Sequence, residues 1–136
     1  MAIEKISYRG KALALIVYAD EAKEGVHFFT PDDYALQLGK HAHPKGKTIK
    51  AHLHCPVQVE RFASLQEVLY IEKGKVRITF FTQSGKKIKS KILAKGDVIL
   101  LMEGGHGFEF LEKTKMIEIK QGPYLPESRK SLEAER

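Results

Sequence analysis

With 136 residues, 23 Lys and Arg against 17 Asp and Glu, and a formal charge of +6, the chain has the size of one domain with one core that needs no covalent staple. Its single cysteine, Cys55, excludes an intrachain disulfide, and no uninterrupted apolar run is long enough to span a bilayer. The first residues lack a charged-then-apolar export pattern, so a cytoplasmic protein with no membrane partner is predicted. The positive balance suits an anionic small molecule or nucleic acid. However, the lysines of Gly85-Lys86-Lys87-Ile88-Lys89-Ser90-Lys91 have no stacking aromatics among them and read as the solvated face of a strand, so no nucleic acid is expected.

Met1 to Arg9 is short and mixed, and Lys11 to Tyr18 is apolar enough for a strand. Asp20 to Gly25 reads as a turn or short helix, Val26 to Phe29 leads into a turn at Thr30-Pro31-Asp32-Asp33, and His27 reads as structural. Tyr34 to His43 is a candidate strand that carries a first His-x-His pair, His41 and His43, before Pro44-Lys45-Gly46 ends it. A second pair, His52 and His54, follows. Residues two apart project from one face of a strand, so strand geometry would make this pair a chelate; off a strand it is two solvated histidines. Cys55, one position on, then points away from that face and reads as a buried structural thiol.

From Glu67 onward, β-rich runs alternate with turn clusters at intervals of roughly ten residues. Val68 to Glu72 is expected to pair with Lys75 to Phe81 across Lys73-Gly74, and strands at 86–93, 97–102, 108–112 and 116–120 continue a meander. A single β domain over residues 1–125 with a polar tail at 126–136 results; the strand count suits a two-sheet sandwich or small jelly roll. Glu67 opens an apolar run, where a core-facing carboxylate would have to meet a cation. His106 lies among glycines in Glu103-Gly104-Gly105-His106-Gly107, which lets a crowded site approach the backbone. Three imidazoles and a carboxylate, His52, His54, Glu67 and His106, form a plausible ligand set for one divalent ion, whether Fe, Mn, Ni, Zn or Co.

The spacing of Gly46, His52, His54, Glu67 and Gly74 resembles the first motif of the cupins: a glycine, five residues, His-x-His, then a glutamate followed after six residues by a glycine. Twelve residues separate His54 from Glu67 where the usual pattern has three or four. Gly96 to His106 resembles the second motif, with Met102 in the place of the usual proline. The resemblance implies an all-β, cupin-like double-stranded β-helix and a metal held by His52, His54, Glu67 and His106 with positions open to a small-molecule ligand. Cupins include sugar isomerases and epimerases, dioxygenases, decarboxylases and non-catalytic binding modules, and fold does not choose among them. The runs at 66–70, 105–109 and 120–124 further resemble small cupin-fold metalloproteins associated with surface-polysaccharide biosynthesis.

Around that site, alternation places Phe108 and Phe110 on the His106 face, either as a ligand-facing apolar lining or as core. Arg61 has the forked guanidinium that suits a carboxylate or phosphate. In Lys115-Met116-Ile117-Glu118-Ile119-Lys120 the isoleucines are expected between the sheets and the charged face in solvent; with the opposite facing, Lys120 would bind an anion. No general acid or base stands out, since Tyr70 lies on the strand face opposite Glu67. A homodimer is expected, because sandwich edges otherwise invite uncontrolled pairing.

Overall fold

A computed structural model describes residues 2–58, 65–122 and Leu132. The chain divides into two compact units, one formed by Met1–Glu21 with Leu65–Arg136 and the other by Ala22–Ser64. Among the described residues there is no helix, and the strands form three antiparallel sheets of five, two and three strands, none closed into a barrel.

The larger unit holds two of these sheets. The five-stranded sheet has the order β1 (Ile3–Tyr8), β2 (Lys11–Val17), β8 (Val98–Leu101), β5 (Glu67–Lys73), β10 (Lys115–Lys120). The three-stranded sheet has the order β7 (Lys87–Ala94), β6 (Lys75–Phe81), β9 (Gly105–Phe110). Period-2 alternation supplies each sheet with one apolar face. Ile6, Ala14, Ile16, Leu69, Ile71 and Ile99 of the first pack against Val76, Ile78, Phe80 and Leu93 of the second. This contiguous core holds the sheets face to face.

The expected hairpin between the runs at 68–72 and 75–81 does not form. β5 pairs with β8 and β10, whereas β6 pairs with β7 and β9. The single residue between β5 and β6, Gly74, has φ of 97°, a left-handed conformation that glycine adopts without steric cost. A Cβ there would collide with the Lys113 carbonyl oxygen. The chain therefore changes sheet at Gly74, and it does so again at 95–97, 102–104 and 111–114. The second of these corners is tied by Asp97, whose carboxylate accepts from the backbone N–H groups of Ala19 at 2.9 Å and Ala94 at 2.8 Å.

At the β1 and β7 edges an ionisable cluster straps the two sheets together. Glu4 meets Lys91 at 2.7 Å and accepts a hydrogen bond from the Tyr18 hydroxyl at 2.7 Å. These contacts hold the Glu4 carboxyl below its ordinary range. Desolvation, aided by Glu4, pushes the Tyr18 phenol up to about 12.

The smaller unit contains β3 (Gly25–Phe28) paired with β4 (Gly39–Ala42). The expected turn forms, with Tyr34 N–H donating to the Pro31 carbonyl at 3.1 Å. The strand expected over 34–43 is confined to its last third, because the Gln37 amide donates to the carbonyls of Pro31 and Tyr34 and curls the preceding segment into a loop. His27 is structural, as expected, bonding the Glu24 carbonyl through Nε2 at 2.6 Å.

Candidate functional site

At the opposite edges of the sandwich from the Glu4 strap, β9, β5 and β10 bring a second set of ionisable groups together. Register explains the arrangement. Glu67 lies opposite Leu101 on β8 and Lys120 on β10, so it shares the core-facing side with Leu69 and Ile71. Glu118, opposite Leu69, and Lys120 take the same side of β10. On β9, His106 lies opposite Phe80, Phe108 opposite Ile78 and Phe110 opposite Val76, which puts all three on the inward side of their own sheet.

Across the gap His106 Nε2 and Glu67 Oε1 stand 2.7 Å apart, with the two side chains 27% and 16% exposed. Glu67 is thus the core-facing carboxylate that needed a cationic or proton-donating partner, and His106 is that partner. Its second contact is Glu118. The two carboxyl groups share a hydrogen bond that moves them apart in acidity: the His106 contact, with help from Glu118, holds Glu67 at about 2, while the bond to Glu67, burial and repulsion from its charge push Glu118 up from its ordinary value. In their shared hydrogen bond Glu118, when protonated, is the donor and Glu67 the acceptor. Lys120 adds a positive field that acts on both carboxyls.

Beside the cluster the aromatic rings continue along β9. The His106 and Phe108 rings are 5.3 Å apart and tilted, and Phe108 and Phe110 are 6.4 Å apart and stacked. Both phenylalanines keep substantial solvent access, 37% and 55%, as do Glu118 and Lys120. The cluster thus sits at a solvent-exposed margin of the core.

Comparison of the chain with protein-family models, with curated proteins and with solved structures finds no match in any of the three.

Two of the four residues expected to hold a metal, Glu67 and His106, are brought together; the other two belong to the smaller unit. His52 and His54 are on no strand and are exposed, with ring centroids 4.9 Å apart and His52 Nδ1 bonded to the Lys50 carbonyl at 3.0 Å. Residues 47–58 carry no strand at all, so the same-face argument for this pair lacks its premise. Cys55 is exposed rather than buried for the same reason. Within either unit, no group of three or more His, Cys, Asp or Glu among the described residues is arranged to hold a metal ion. Arg61, the proposed anion ligand, lies outside the described residues.

The expected facing of β10 is reversed. Ile117 and Ile119 are 50% and 57% exposed, and it is Glu118 and Lys120 that share the Glu67 side. Glu118 is the functional candidate that sequence reasoning passed over. Its signal was the alternation with Lys120, which commits both residues to whichever side the isoleucines leave.

Proposed function

We propose that the protein acts on a small polar molecule, anionic or sugar-like, at this open margin, and that His106, Glu67 and Glu118 move a proton on it. One observation carries the reading: Glu67 and Glu118 are neighbouring carboxyls whose acidities are driven in opposite directions, with an imidazole 2.7 Å from the more acidic one. Such a divergence divides acid from base roles in one cluster. Glu67 orients the His106 ring, and Glu118, whose acidity is weakened, is the carboxyl suited to deliver a proton. Lys120 favours an anionic group, and Phe108 with Phe110 offers an apolar surface for the ligand's carbon skeleton.

A divalent ion belongs to the same proposal. His106 and Glu67 offer donor types that suit the first-row ions; when bound, the ion would polarise a ligand oxygen. The favoured class is isomerisation or epimerisation through proton transfer next to a carbonyl.

The test is a screen of sugar phosphates and nucleotide sugars in D2O, with and without added divalent metals. Mass spectrometry follows solvent deuterium entering the ligand, and an oxygen electrode runs alongside. Deuterium incorporation that disappears in His106→Ala and Glu118→Gln is expected. Oxygen uptake would select a dioxygenase instead, and binding without exchange under every metal would select a non-catalytic binding module.

A further inference from the structure

The other His-x-His pair, His41 and His43, brings two ring nitrogens together. His41 lies in β4, opposite Val26 of β3, and His43 follows one residue after the strand ends at Ala42. Their rings meet edge to face at 5.3 Å, with His41 Nδ1 and His43 Nε2 3.1 Å apart. Two nitrogens each bonded to one cation at about 2.0–2.1 Å come to that separation when the angle between the bonds is about 97°, between octahedral and tetrahedral values. Both side chains are exposed, so an ion can enter and water can complete its shell. His27 in the paired strand is occupied elsewhere, through Nε2 on the Glu24 carbonyl.

We propose that His41 and His43 form a cation site of their own, separate from the cluster at Glu67 and His106, for a first-row divalent ion that prefers imidazole, such as Zn2+. Two protein ligands make it an exchangeable site. Binding would replace the hydrogen bond between the rings and select the tautomers with N–H at His41 Nε2 and His43 Nδ1, since both facing nitrogens must present lone pairs to the metal.

Zinc titration by calorimetry tests this in a His52→Ala/His54→Ala background, which removes the other pair. In that background one Zn2+ per chain is expected to be lost on adding either His41→Ala or His43→Ala, while adding His106→Ala leaves that ion in place. Proton NMR of the wild-type protein should show the His41 and His43 ring signals shifting with Zn2+. Unchanged stoichiometry and affinity in both variants, or no Zn2+ binding by the background protein, would overturn the assignment. Because both side chains are exposed, far-UV circular dichroism should confirm that the variants keep the fold.

Discussion

Replacing Glu67 by Gln removes one charge and almost no volume, so it isolates what the carboxylate contributes. In the native protein the Glu67 carboxyl is held at about 2 against an ordinary 4.5; at about 1.36 kcal/mol for each pH unit, this linkage is worth roughly 3 kcal/mol at neutral pH. That is an upper bound, because Glu67 keeps 16% exposure and the amide oxygen of Gln can still accept one bond. A hydrogen bond to a charged group contributes about 1.5–3 kcal/mol, and the same loss is expected for Glu67→Gln at pH 7. With a urea slope of about 2 kcal/mol per molar, the midpoint should fall by roughly 1 M. The sign follows from the direction of the shift. A carboxyl whose folded value lies below its unfolded value contributes stability above about pH 4.5, and loses it as pH falls toward about 2. Urea curves for both proteins from pH 7 to pH 2 should therefore converge at the acid end. Equal midpoints at pH 7 would refute the reasoning, and a difference that persists unchanged to pH 2 would show that packing, not charge, was lost.

Glu118→Gln should act in the opposite sense. The folded value of Glu118 is raised, so its contribution is present below the ordinary carboxyl range and lost as pH rises through the folded value; the variant should match or exceed the wild type in urea at pH 8, and a lower midpoint there would count against the shared proton. Gly104, with φ of 78°, would drive a Cβ into the Phe81 carbonyl oxygen; Gly104→Ala should cost about 1–3 kcal/mol, and a urea midpoint equal to wild type would contradict the strain. Plasma mass spectrometry on His52→Ala/His54→Ala should show less bound metal than wild type if the ligand set implied by the resemblance operates, and equal metal would remove both histidines from it. Light scattering at micromolar concentration is expected to give a dimer mass, with Ile117 and Ile119 on edge strand β10 half exposed; a monomer mass would leave that edge without the expected cover.

What the sequence made legible was the period. Alternation correctly placed His106, Phe108 and Phe110 on one face and Tyr70 opposite Glu67, because side-chain direction on a strand is local geometry. The demand of Glu67 for a partner was also local, a matter of one carboxylate opening an apolar run. Pairing was not legible in the same way. Nothing in Val68 to Glu72 says that its neighbours are 98–101 and 115–120 rather than the run immediately after it, since any alternating strand offers the same backbone groups. The facing of β10 failed for a related reason: two isoleucines against a glutamate and a lysine usually point inward, whereas here Glu118 and Lys120 take the side of Glu67 on the paired strand. His52 and His54 failed one step earlier, because same-face geometry presupposes a strand and 47–58 forms none.

Two ionisable clusters bridge the sheets at opposite edges, and comparing them is what separates a strap from a site. At the β1 and β7 edge, both oxygens of Glu4 are engaged, one by Lys91 and one by the Tyr18 hydroxyl. The Tyr18 proton is committed, its phenol held at about 12, while the Glu4 carboxyl is held below its ordinary value. At the β9 and β10 edge the carboxylate is matched instead by an imidazole and by a second carboxyl whose acidity is weakened. Like charges brought this close cannot both ionise readily, and a fold needing only a strap would gain more from a lysine in place of Glu118. Two carboxyls where one cation would close the sandwich more firmly form a pair able to share a proton beside His106. That arrangement costs stability wherever Glu118 ionises, and it is the physical ground for proposing that any chemistry belongs to this edge rather than to the Glu4 edge.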